Sequence, residues 1–175
     1  MKRLALIWLA LLLCTGARAQ EGEVLERILQ KNLPPSLEAA WQREYHSPLL
    51  QENLSSSGKV YLLQPDKLRW ETVRPFSRVS VFDGTEPRGR FRMPAVKDFR
   101  SQLFEGDQYT VILTPVRRDL KQLFNQIILT VNKDSLLVQE ILVKGPDGDW
   151  TRIVFTDIRH NPTLSESLFQ KPSAN

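Results

Sequence analysis

Cysteine is almost missing from this chain. Cys14 is the single thiol among 175 residues, and His46 and His160 are the only histidines. One thiol cannot form an internal disulfide, and one Cys with two His leaves no basis for a Cys/His zinc site. Catalytic signatures are missing as well. The sequence contains no G-x-S-x-G, no H-E-x-x-H, no phosphate-binding P-loop and no G-x-G-x-x-G. His46 follows a strand pattern and His160 precedes Asn161-Pro162, so both read as surface or turn residues. Asp147 and Asp149 flank Gly148, but an EF-hand loop needs further ligands and a distal Glu. The chemistry points to a protein that is not an enzyme and carries no cofactor or metal.

Long apolar runs are missing too. Leu4–Cys14 is unbroken for 11 residues, whereas a membrane-spanning helix needs about 20. The run follows Met1-Lys2-Arg3 and precedes Ala17-Arg18-Ala19, which is the pattern of a secretory signal peptide cleaved after Ala19. A lipid-modified Cys14 would normally follow a small residue, and here Leu13 precedes it. Three of the 24 basic side chains (Lys2, Arg3 and Arg18) leave with the signal, so 21 face 20 acidic ones. A nucleic-acid binder shows a concentrated basic surplus, and none remains, so no nucleic-acid partner is expected. The expectation is a soluble exported domain over residues 20–175, needing no disulfide in an oxidising compartment.

The remaining sequence is a series of period changes. Val24, Leu25, Ile28 and Leu29 recur at helical spacing in Gly22–Leu33, and Pro34-Pro35 stops the helix. The period then becomes two. Strands are expected at Leu37–His46, Gly58–Gln64, Lys67–Arg74, Val79–Phe82, Tyr109–Thr114, Leu123–Val131, Leu136–Val143 and Trp150–Thr156. Asp83-Gly84 reads as a hairpin turn. Within residues 85–108, only Ala95–Phe104 reads as helical, with Phe99, Leu103 and Phe104 to one side. Asn161–Phe169 holds a helical turn or a last edge strand. Short links require antiparallel pairing. The fold class is therefore α+β, with one large antiparallel sheet.

Several strands are apolar on both faces: Tyr61-Leu62-Leu63, Val111-Ile112-Leu113, Ile127-Ile128-Leu129 and Ile153-Val154-Phe155. A sheet with one wet face would alternate. Two arrangements meet this pattern, a curved sheet around an apolar hollow or a sheet packed on helices without one. In the first, Leu68 and Trp70 face the hollow while Arg69 and Glu71 face water. Val79 and Val81 follow in phase on the next strand. Val111, Leu113, Ile127, Leu129, Ile141, Ile153 and Phe155 are the further lining candidates.

The order of small motifs resembles the LolA-type periplasmic outer-membrane lipoprotein carriers. A Gly-led strand (Gly58) is followed by a Pro turn (Pro65), Leu68-Arg69-Trp70-Glu71, Pro75 and a strand ending in Asp83-Gly84. Leu113-Thr114-Pro115, Leu120-Lys121-Gln122-Leu123-Phe124 and Gly148-Asp149-Trp150-Thr151 continue the likeness. The resemblance implies a strongly curved antiparallel sheet, an unclosed β-barrel, with an N-terminal helix and a helical lid over an apolar cavity. It implies a periplasmic monomer that binds the acyl chains of lipoproteins. Its partners would be acylated lipoproteins, an inner-membrane ABC-type release complex and an outer-membrane acceptor. A non-transport lipid-binding module of the same fold, an envelope sensor or outer-membrane receptor, is the alternative. Two positions depart from the pattern. Gln64 stands where the proteobacterial carriers have a latch Arg, and the 24 residues 85–108 leave room only for a short lid, Ala95–Phe104, with Phe99, Leu103 and Phe104 beneath it.

Overall fold

The computed structural model describes residues 22–32, 34–65, 67–82 and 98–170. The signal segment and Asp83-Gly84 lie outside them. Helix α1 spans residues 22–32, and Pro34 and Pro35 follow its end. Nine strands come next: β1 (Ser36–His46), β2 (Leu54–Leu63), β3 (Lys67–Arg74), β4 (Arg78–Phe82), β5 (Phe99–Glu105), β6 (Tyr109–Pro115), β7 (Gln126–Val131), β8 (Val138–Lys144) and β9 (Trp150–His160). A short helix α2 (Arg118–Lys121) lies between β6 and β7, and a 3-10 turn (Glu166–Phe169) follows β9.

All nine strands form one antiparallel sheet in the order β4-β3-β2-β1-β9-β8-β7-β6-β5. The expected fold class is borne out: among the described residues the sheet is unclosed, with β4 and β5 as its two edge strands. Register shifts interrupt the ladders at Glu38/Ala40, Ser57/Gly58 and Thr130/Val131. Each is a bulge-type irregularity, which bends a strand and increases its twist. At the first, Asp157 of β9 adopts φ 52°, the left-handed conformation that a short polar side chain tolerates.

The helical lid is overturned. Phe99–Glu105 is strand β5, paired along its length with β6 from Phe99↔Pro115 to Glu105↔Tyr109. Residues 95–97 of the expected lid lie outside the described residues. Phe99 and Leu103 are four residues apart, a spacing shared by a helix face and a strand face. Leu123–Asn125 is also not strand. Leu123 and Phe124 donate their backbone N–H to Leu120 O, continuing the turn of α2. At the C-terminus the helical-turn reading of Asn161–Phe169 holds, as the 3-10 turn.

Directly opposed residues of an antiparallel ladder point to the same side. The registers therefore sort the sheet into two faces. Helix α1 packs on the inner one, where Ile28 joins Val111 and Val131, all essentially without solvent exposure. The outer face carries the C-terminal turn. Arg69 donates from Nη1 to Leu168 O at 2.8 Å, and Lys67 Nζ lies 3.3 Å from Glu166. Arg69 and Glu71, expected to face water, are thus mostly covered side chains paired with each other beneath that turn. Burial beside Glu71 also pushes the Tyr61 hydroxyl above its usual range.

Candidate functional site: the inner apolar face

Pairing carries one apolar row across five strands of the inner face: Leu103↔Val111, Val111↔Leu129, Leu129↔Ile141 and Ile141↔Ile153. Leu113↔Ile127 runs parallel to it. On β9, Phe155 opposes Trp41 of β1, and Val60 opposes Trp70 of β3, with Leu62↔Leu68 beside them. Nine of the expected lining residues therefore share one face: Leu68, Trp70, Val111, Leu113, Ile127, Leu129, Ile141, Ile153 and Phe155.

Val79 and Val81 do not. They oppose Glu71 and Arg69 and so lie on the outer face. The inner positions of β4 are Arg78, Ser80 and Phe82, opposite Thr72, Trp70 and Leu68. The five residues 73–77 between the last pair, Thr72↔Arg78, set this phase. The expected lid residues take other roles. Leu103 packs into the cluster beneath α1. Phe99 stacks on Phe124 with ring centroids 6.0 Å apart. Phe104, on the opposite face from Leu103, is well exposed.

Two clusters divide the inner face. The first is closed by α1: Val24, Leu25 and Ile28 meet Leu103, Tyr109, Val111, Leu113, Leu129, Val131, Leu136 and Val138. Asn32 at the end of the helix fixes that arrangement. Its Nδ2 donates to Leu136 O at 2.7 Å and to Ile28 O at 2.8 Å, and its Oδ1 accepts from Val138 N at 2.8 Å. One side chain thus takes the place of a strand partner for the β7–β8 turn. That turn places Leu136 at φ 58°, unusual for a residue without the tolerance of Asn or Gly.

The second cluster centres on Ala39, Trp41 and Val60, with Leu37, Leu68, Trp70, Ile153, Phe155 and Ile158 against it. Trp41 and Trp70 stack at 4.7 Å between ring centroids. Gly58 makes this possible. It stands opposite Trp41, and a Cβ there would strike the Glu71 backbone carbonyl and come within 2.9 Å of Trp41 Cζ2. Leu68, Trp70, Ile153 and Phe155 remain only half-buried. Trp41 and its neighbours Ala39 and Val60 are inner-face residues the sequence reading missed. Alternation of Leu37, Ala39, Trp41 and Tyr45 was the available signal.

The apolar row ends at polar groups. Ile153 opposes Arg43, and Arg43 opposes Ser56. Ser56 Oγ and Trp41 Nε1 are buried without a hydrogen-bond partner. Arg43 and Ser56 also line a surface cleft, with Gln42, Glu44, Ser57, Arg74 and Arg152 among others. The apolar floor can shelter hydrocarbon. It presents wide aliphatic and aromatic area and few polar groups among the described residues.

The family model described as outer membrane lipoprotein carrier protein LolA matches residues 95–172, from the lead-in to β5 through the C-terminal turn. Over that stretch the chain is similar to the LolA family. The outer-membrane lipoprotein carrier protein of Vibrio cholerae is 26% identical over 193 aligned positions, covering 96% of this chain and 90% of that relative. Its counterpart from Nitrosomonas europaea is 23% identical over 159 positions, covering 74% and 77%. Among solved structures, MucB superimposes with a TM-score of 0.56 at 13% identity, covering 89% of this chain and 64% of MucB. The MucA/MucB complex of Pseudomonas aeruginosa gives 0.54 at 14%, covering 88% and 62%. The chain thus spans under two thirds of the MucB chain, and the likeness to MucB is one of fold. The match includes the strands of the closed half of the inner face and β9, whereas α1, Leu68 and Trp70 precede it.

Proposed function

We propose that this chain is a periplasmic carrier, not an enzyme, that shelters the acyl chains of lipoproteins on its inner face between the inner and outer membranes. The observation that carries this reading is the half-open floor around Leu68, Trp70, Ile153 and Phe155, beside a half that α1 has filled. Each CH₂ withdrawn from water contributes about 0.8 kcal/mol. A floor that covers a chain on one side retains only part of that, which suits a cargo that must be released. The carbonyl end of the chain would lie toward Arg43, Ser56 and the Trp41 N–H. The names of the curated relatives support the reading. In it, the signal peptide is removed after Ala19, residues 20–175 form a single domain, and the monomeric carrier receives cargo from an inner-membrane ABC-type complex and delivers it to an outer-membrane acceptor.

The alternative is a non-transport module of the same fold. Its support is MucB, which has been solved in complex with MucA, so a chain of this fold can serve as a protein-binding partner. Protein purified from the periplasm should contain extractable acyl lipid or acylated peptide. Trp70→Asp should reduce acyl binding by at least about tenfold by placing an unpaired charge on the floor. Leu68→Gln, a milder change on the same face, should weaken it in the same direction. Folded variants with unchanged binding, or wild-type protein that binds no acyl ligand, would sink the carrier reading.

A further inference from the structure

The exposed apolar side chains are not scattered. Nine large ones stand well exposed among the described residues, and seven sit at one end of the sheet. The registers identify that end. His46 pairs with Trp150, Trp150 with Lys144, Lys144 with Gln126, and Phe99 with Pro115. The links β1–β2, β3–β4, β6–β7 and β8–β9 therefore share one rim. Leu49 and Leu50 lie in the first, with Leu54 where β2 leaves it; Phe76 lies in the second, with Val73 at the adjoining end of β3; Val116 and Leu123 belong to the third. Phe82 and Phe104 are the two at the opposite end.

The β1–β2 link is built to hold its leucines outward. Its base is polar and tied down: His46 Nδ1 meets Asn53 Oδ1 at 2.8 Å, and Asn53 Nδ2 donates to Glu44 at 2.7 Å. Leu50 N donates to Ser47 O at 2.9 Å, closing a turn. His46 stacks on Trp150, and Pro48 lies against Gly148 of the neighbouring link. At the tip of this braced loop Leu49 is 94% exposed. Phe76, on the β3–β4 link, is 80% exposed. Exposed apolar clusters of this kind mark interaction sites.

The charges on the rim indicate which kind of partner fits. Arg74 and Arg78 flank Phe76, Arg118 and Lys121 lie between Val116 and Leu123, and Lys144 ends β8. None of these five has an ion-pair partner among the described residues. Arg117 is held by Asp98 and Asp119. Acidic groups on this rim without an ion-pair partner among the described residues are one fewer: Glu44, Glu52, Asp147 and Asp149. Apolar tips that can enter an interface, beside basic groups that can meet phosphates, match a bilayer containing anionic phospholipid.

We propose that this rim docks reversibly on an anionic phospholipid surface, with the Leu49-Leu50 tip and Phe76 entering the interface. The inference goes beyond the acyl-carrier reading and does not depend on it, since the rim lies outside the inner-face floor. The test is sedimentation of the exported protein, purified from the periplasm, with vesicles of phosphatidylethanolamine and phosphatidylglycerol, and separately with phosphatidylcholine vesicles. Binding should favour the anionic vesicles and weaken with salt. Leu49→Ser/Leu50→Ser should reduce it by about tenfold or more, Phe76→Ser should reduce it independently, and Phe104→Ser at the other end should leave it unchanged. Leu49 and Phe76 stand in solvent, so folding survives these changes. No vesicle binding, equal binding by the rim variants, or a dimer abolished by Leu49→Ser/Leu50→Ser in place of lipid binding would overturn it. Acyl-ligand binding measured on the same variants should not change, which separates this result from the carrier test.

Discussion

The two halves of the inner face are built from the same kind of strand and finished differently. Over β5–β7 the apolar row meets α1, and Val111 and Val131 are sealed. Over β9-β1-β2-β3 the row meets a pair of stacked indoles, and Leu68, Trp70, Ile153 and Phe155 stay half in solvent. One short helix has a single apolar stripe, and it can cover only the strands beneath it. The comparison shows that a closed core can hold the fold while a second apolar area stays half-exposed. A sheet that sealed both halves would be more stable and would leave no apolar floor open to solvent.

The largest expected effect comes from charging the closed half. Val111→Asp buries a carboxylate with no partner, at a cost of several kcal/mol, enough to unfold a domain whose whole stability is about 5–15 kcal/mol. Leu68→Asp, on the half-open floor, should retain cooperative denaturant unfolding. If both variants unfold alike, the two halves are one core and the division fails.

A smaller effect follows from loosening the helix without touching the apolar packing. Asn32→Ala leaves Val138 N–H and Leu136 C=O without the partners described above, which should cost about 1–3 kcal/mol. Hydrogen exchange should accelerate in α1 and at the β7–β8 turn and remain unchanged in β1–β3. Equal acceleration across β1–β3 would show that the helix supports the open half too.

The smallest effect is on pH. His160 lies at the end of β9, opposite Leu37, with Nε2 buried and unpartnered. Burial, and secondarily Lys31, holds its imidazole below the ordinary histidine range. The unfolded chain therefore binds this proton more readily than the folded one. The contribution is fully present above the ordinary histidine value near 6.5 and is lost as pH falls through the folded value. His160→Gln should flatten the fall in thermal stability between about pH 7 and pH 5. An identical slope in wild type and variant would show that the carboxylates alone set it.

Much of this was legible before the structure. Lys67–Arg74 alternates so cleanly that its strand limits and its inner residues, Leu68 and Trp70, both followed from sequence. The doubly apolar strands showed that both faces needed cover, and the two faces use different covers: α1 inside, and the C-terminal turn on β3 outside. What failed had physical reasons. Arg78-Val79-Ser80-Val81-Phe82 alternates equally well in either phase, and only the link 73–77 decides which side turns inward. Phe99 and Leu103 satisfy helical and extended periods together, so pairing with β6 had to decide. Asn32 carried no periodic signal for its role, because the two groups it ties to the helix, Leu136 O and Val138 N–H, are more than a hundred residues away.

The order of the sheet places β1 against β9, the first strand against the last. A chain delivered N-terminus first can fold the β1–β4 and β5–β8 arms as local hairpins. Their junction must wait until residue 160 arrives, since Leu37↔His160 and His46↔Trp150 bound it. Pairing over so long a separation is slow to form. Until the final stretch emerges, the two arms cannot join, and each holds an unpaired edge for that whole interval.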